Sequence, residues 1–128
     1  MKLALLFTFG VLLTLGCQPK NTDDGIDTPE DLIGRTIEYQ YGESIYHVTF
    51  DSDTTLHWEA VAGEEKGAYE KETYVLEFLA RQTIFITWGE ANGIGVSQVL
   101  DIERGIVYNH LLRGRSVSSG DGKIRILP

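Results

Sequence analysis

The chain has one cysteine among its 128 residues, so no disulfide can form within it. It lacks any apolar stretch of the roughly 20 residues that a membrane-spanning helix requires. The longest uncharged apolar run, residues 3–15, has 13. Basic charge is scarce: 11 Lys and Arg stand against 19 Asp and Glu, a net charge of −8. Nucleic acid is therefore not an expected partner, because its phosphates demand clustered Lys and Arg. Histidines are few and far apart, at His47, His57 and His110, and none belongs to a ligand spacing that would hold a metal. Gly-rich phosphate loops, nucleophile elbows and serine triads are missing too. No cofactor is implied.

What is present begins with a leader. Lys2 supplies a positive start, residues 3–15 an apolar centre, and Leu13-Thr14-Leu15-Gly16-Cys17 resembles the lipobox of bacterial lipoproteins, with Thr14 where that motif prefers leucine. The expectation is a signal peptide over residues 1–16 and a lipid attached at Cys17, which would make membrane lipid a partner. It would also place the protein at the cell envelope, outside the cytoplasm. An ordinary secretory signal with an incidental cysteine is the alternative. Acylation would account for an unpaired thiol in an oxidising compartment, and several acyl chains on one residue give a stable anchor. Residues 17–31 then read as the attachment site and a polar tether, with Ile26 as its one aliphatic residue. Such a tether reaches on the order of 40 Å when extended.

From residue 32 to 128 the sequence reads as one small all-β domain. Segments rich in Ile, Val, Tyr, Thr and Phe alternate with Gly, Asp, Asn and Ser. Strands are expected near 34–41, 44–51, 54–61, 67–79, 83–89, 94–102, 105–113 and 122–127. Period-two patterns stand out at Tyr46, Val48 and Phe50, at Ile84, Ile86 and Trp88, and at Ile106, Tyr108, His110 and Leu112. Short connections make consecutive strands antiparallel neighbours, and eight strands in a meander hide their edges best by closing into a barrel wide enough for one small ligand. A single helical turn is expected over 28–33, capped by Thr28 with Pro29 first, at one end of that barrel.

The candidate site is aromatic. Tyr39 and Tyr41 share one face of the first strand, with Glu38 and Gln40 on the other, and Glu90 follows Trp88 and Gly89 at a strand end. Together with Tyr46, Trp58, Tyr69 and Trp88 they form a set suited to a small aromatic or apolar ligand. A carboxyl such as Glu90 in an apolar cavity would have its pKa raised, which suits acid or base chemistry. The competing reading has the tyrosines filling the core and Glu90 solvated in a hairpin.

Ile33-Gly34-Arg35-Thr36-Ile37-Glu38-Tyr39-Gln40-Tyr41, the Ser52-Asp53-Thr54-Thr55-Leu56 turn, Trp88-Gly89-Glu90 and the strand over 96–101 resemble the MoaF-like family of calycin-type, lipocalin-like barrels. The pattern is more distantly similar to phenolic acid decarboxylases. That resemblance implies Tyr39 and Tyr41 as substrate-holding tyrosines and Glu90 as the catalytic glutamate. The cavity arginine of those enzymes has no counterpart, since Gly67-Ala68-Tyr69 stands in its place, and their long C-terminal region is absent. Arg113, Arg115, Lys123 and Arg125 read as a solvated strand end. Three functions remain open from sequence: a ligand-binding lipoprotein, an acid/base enzyme, and an envelope interaction module of unknown oligomeric state.

Overall fold

The computed structural model describes residues 25–128, so the leader and Cys17 lie outside the described residues. Eight antiparallel strands, each hydrogen-bonded to the next, close into a barrel when β1 pairs with β8. The strands are β1 Thr36–Tyr41, β2 Ser44–Phe50, β3 Thr55–Ala62 and β4 Tyr69–Ala80, then β5 Thr83–Gly89, β6 Ile94–Asp101, β7 Ile106–Arg113 and β8 Ser116–Ile126. Closure runs through Ile37 opposite Ile126 and Tyr39 opposite Ile124. The closing pairing covers residues 123–126 of β8, while residues 116–122 pair with β7 alone.

Alternation decides what enters the interior. Ile37 and Tyr39 on β1, Val48 and Phe50 on β2, Leu56 and Trp58 on β3, and Ile84, Ile86 and Trp88 on β5 are all buried. His47 and His57 take the opposite faces of their strands, as their parity predicts, and each meets a carboxylate there. His47 Nε2 lies 3.0 Å from Glu38 Oε2, and His57 Nδ1 2.9 Å from Asp51 Oδ1.

Before β1, a short helix, α1 (Pro29–Leu32), follows Thr28 as its N-cap, with Pro29 at its start. The Asp31 carboxylate accepts hydrogen bonds from the Thr28 backbone N–H at 2.8 Å and from Thr28 Oγ1 at 3.0 Å, which holds the turn closed. Leu32 is fully buried, and so is Ile26. The ordered unit therefore extends upstream of residue 32. Composition identified a polar segment, but its one aliphatic side chain joins the core. Arg81 in the β4–β5 turn donates from Nε to Asp27 Oδ1 at 2.8 Å, and this fastens the segment to the same end of the barrel.

Two strands differ from expectation. On β7 the buried residue is Val107, whereas Tyr108 and Leu112 are about half exposed, so the inward set is Val107, Asn109 and Leu111. The polar Asn109 lies on the inner face, which inverts a reading based on hydrophobic alternation. The eighth strand starts at Ser116, six residues earlier than 122. Its Ser and Gly residues have weak strand preference, yet each pairs in register with β7, from Arg113 opposite Ser116 to Ile106 opposite Lys123.

Candidate functional site

The two ends of the barrel differ. At the α1 end, Ile37, Phe50, Leu56, Ile84, Leu100 and Val107 are all fully buried and fill the interior. Phe50 meets Tyr74 edge-on with centroids 5.4 Å apart, and Tyr74 Oη donates to Ser52 O at 2.7 Å. Toward the other end the packing opens into a cavity of about 390 Å³. That space is of the size small-molecule sites have.

One wall of the cavity is a continuous run of aromatic rings across three neighbouring strands. Tyr39 and Tyr41 stack with centroids 6.4 Å apart, Tyr41 meets Tyr46 edge-on at 6.3 Å, and Tyr46 meets Trp58 edge-on at 6.0 Å. Trp88, Val96 and Leu111 supply apolar surface from β5, β6 and β7. The position of Tyr41 depends on Gly122 of β8. A Cβ at Gly122 would come within 2.7 Å of both Gln40 O and the Tyr41 ring.

Polar groups enter this lining in a defined pattern. Gln98 Nε2 donates to Tyr41 Oη at 3.2 Å and to Asn109 Oδ1 at 3.1 Å, which turns its carbonyl oxygen away from both. Gln98 Oε1, Tyr39 Oη and Trp88 Nε1 are buried without a hydrogen-bond partner in the protein. Trp58, also in the lining, has its Nε1 without a partner as well, and an unmet buried group costs about 1–3 kcal/mol.

The loops at the open end bring charge. Glu65, from the β3–β4 connection, accepts a hydrogen bond from Tyr46 Oη. Glu90 and Asn92 come from the β5–β6 turn, and Arg113 from the end of β7. Glu90 has its pKa raised, first by burial and then by the charges of Glu70 and Glu65, against a lowering by its Asn92 hydrogen bond and by Arg113. Behind it, β4 directs Glu72 inward, where it is 8% exposed. Burial, then its neighbour Glu70, then the charge of Glu90 push the Glu72 carboxyl up to about 7. The phenols stay neutral. Burial and the Glu65 hydrogen bond raise Tyr46 to about 12, and burial raises Tyr39 and Tyr41 further. They can donate hydrogen bonds or supply π faces, but they are not bases near neutrality.

Of the residues singled out from sequence, Tyr39, Tyr41, Tyr46, Trp58, Trp88 and Glu90 all line this cavity. Tyr69 does not. It pairs with Glu59 on the outer face of β3 and β4, is 57% exposed, and lies against His57 with centroids 5.4 Å apart. The register explains this, since Tyr69 shares parity with Lys71 and Thr73 while Glu70, Glu72 and Tyr74 face inward. Arg113 is exposed at the end of β7, as a solvated strand end would be, and it also lies among the residues that line the cavity. Arg81, by contrast, is at the opposite end with Asp27. Gln98, Asn109, Glu65, Glu70 and Glu72 were not anticipated. Parity carried the signal for most of them: Gln98 alternates with Val96 and Leu100, Asn109 with Val107 and Leu111, and Glu70 and Glu72 with Tyr74 and Leu76.

Comparison with solved structures finds a crystal structure described as "a putative beta-lactamase from Burkholderia vietnamiensis". It matches with a TM-score of 0.69 and 22% identity, over 75% of this chain and 95% of that one. At that identity the likeness shows the fold alone. Comparison with curated proteins finds no match. The family model described as MoaF-like matches residues 33–125, from the residue after α1 almost to the end of β8, and so takes in every strand and every cavity residue. The chain belongs to the MoaF-like family.

Proposed function

We propose that this protein is an envelope lipoprotein whose barrel binds one small, largely aromatic or apolar molecule in the cavity at its open end. The observation that carries the reading is the cavity itself, about 390 Å³ between aromatic walls and reached from one end of the barrel. Rings that filled the interior would have left no such space. Buried polar atoms without protein partners, on Tyr39, Trp58, Trp88 and Gln98 of the lining, are candidates for the few placed groups that orient a ligand in such sites. The anchor part of the reading rests on the leader and Cys17 in the sequence. Native mass spectrometry of the full chain recovered from its own cells tests the binding. The expected result is a discrete small-molecule adduct that a Val96→Trp substitution, which fills the cavity, removes; a bare protein mass for both forms would contradict it.

A second reading has support from one specific feature. Glu90 and Arg113 line the same cavity as Tyr39 and Tyr41, so a carboxyl of raised pKa and a guanidinium both face the space a phenolic acid would occupy. In that reading Glu90 exchanges a proton with the substrate while the tyrosines hold it. Incubation with p-coumaric acid, followed by its ultraviolet absorbance, decides: loss of absorbance that Glu90→Gln abolishes supports it, and a flat trace at high protein concentration rejects it.

A further inference from the structure

We propose that the molecule the cavity takes is an organic ammonium ion, an amine carried on an apolar or aromatic body. This deepens the binding reading and rests on it. The balance of charge decides the sign of the ligand. Glu65 and Glu90 line the cavity, Glu70 and Glu72 stand behind them, and Arg113 is the cation among the lining residues. Even with Glu72 holding its proton, the carboxyls outnumber the one guanidinium, so the site repels an anionic ligand and attracts a cationic one.

The walls point the same way. Tyr41, Tyr46 and Trp58 form a contiguous run of rings in the lining, and a cation within about 6 Å of the face of such a ring is attracted by its quadrupole. Trp88 adds a second indole from across the barrel. An ammonium group also needs acceptors for its N–H bonds. Gln98, 5% exposed, offers one from inside the cavity, because its amide donates to Tyr41 and Asn109 and leaves Oε1 without a partner. The Glu90 carboxylate offers another.

A metal ion fits less well. Among the described residues no group of three or more His, Cys, Asp or Glu side chains is placed to hold one, and the acids are interleaved with aromatic surface that suits a carbon skeleton. Burial, and then the charge of neighbouring carboxyls, raises the protonated fraction of Glu72 and Glu90, and an ammonium ion seated between Glu90 and the rings would offset that charge. The ligand would thus replace a proton as the neutralising charge.

Three probes of matched shape test the claim on the full chain, by calorimetry and by the fluorescence of Trp58 and Trp88: phenethylamine as the cation, 2-phenylethanol as the neutral form, and 3-phenylpropionate as the anion. Phenethylamine is expected to bind at least tenfold more tightly than either of the others near neutral pH. Glu90→Gln and Glu65→Gln should each lower its affinity severalfold and that for 2-phenylethanol by much less, a pattern that a general loss of structure would not give. Equal or tighter binding of 2-phenylethanol or 3-phenylpropionate overturns the ammonium proposal and leaves the cavity reading standing. Absence of binding by all three overturns both.

Discussion

Glu72 is the residue whose environment differs most from what its type suggests. Strand parity turns it into the barrel beside Glu70 and toward Glu90, and its carboxyl holds a proton up to about pH 7. Below its ordinary value of 4.5 the group is protonated in both folded and unfolded chains. Between 4.5 and about 7 the unfolded chain ionises first, so stability falls as pH rises, and above that range the loss is complete. Urea unfolding at pH 4.5 and pH 8 should show the protein less stable at the higher pH by about 1–3 kcal/mol. Glu72→Gln should remove most of the difference. Glu90 contributes in the same direction, so a small slope should persist in that variant. Glu38 acts oppositely: Arg125 and then His47 lower its pKa, so its contribution disappears only as pH falls below the usual carboxylate range. No pH dependence across 4.5–7 in the native chain would mean that Glu72 is not held as described.

A second residue-level prediction concerns Gly122, where a side chain would strike Gln40 O and the Tyr41 ring. Gly122→Ala should destabilise the barrel by about 1–3 kcal/mol and disturb the Tyr41 and Gln98 contact, as read by unfolding and by the Tyr41 ring resonances. The aromatic half of the site was legible because Tyr39, Tyr41, Tyr46, Trp58 and Trp88 obey the rule that large apolar residues face inward. Its polar half obeys no such rule. Gln98, Asn109, Glu70 and Glu72 lie inward at positions where polarity ordinarily signals solvent, and only their alternation with apolar neighbours betrays them.

Among the elements, the first six strands were legible to within about two residues, since β-branched and aromatic residues mark them and turn residues bound them. In β7 the position of the element was legible and its facing was not, because both parities contain apolar residues and Asn109 disguised the inner one. The start of β8 was hidden by serine and glycine, whose strand conformation is imposed by pairing with β7 rather than by local preference. The helix α1 was anticipated from Thr28 and Pro29, but the burial of Ile26 ahead of it was not, since one aliphatic side chain leaves composition polar. Ile26 and Leu32 both join the core cluster. Ile26→Ala and Leu32→Ala should each cost about 2–4 kcal/mol, with little effect on ligand affinity because the cavity opens at the other end. Chemical denaturation alongside a binding titration separates the two effects. A tether would show no stability change for Ile26→Ala.

At the scale of the whole molecule, one closed sheet supplies two unlike ends: a packed end fastened by α1 and a cavity end ringed by carboxyls. This polarity follows from where the large apolar residues lie along the strands. Fold likeness alone assigns no chemistry, whereas the cavity has the size and lining that suit a small molecule. If Cys17 carries the anchor, Cys17→Ser should move the protein from the membrane to the soluble fraction on fractionation, with the barrel's circular dichroism unchanged. Continued membrane association of that variant would contradict acylation.

If the open end of the barrel holds a small molecule, a crystal structure of the full chain purified from its own cells should show it in place. The predicted result is density for an organic molecule in the cavity, with polar atoms within hydrogen-bond distance of Tyr39 Oη, Trp88 Nε1 or Gln98 Oε1. A collapsed interior, with the rings of Tyr41, Tyr46 and Trp88 packed into that space, would contradict it.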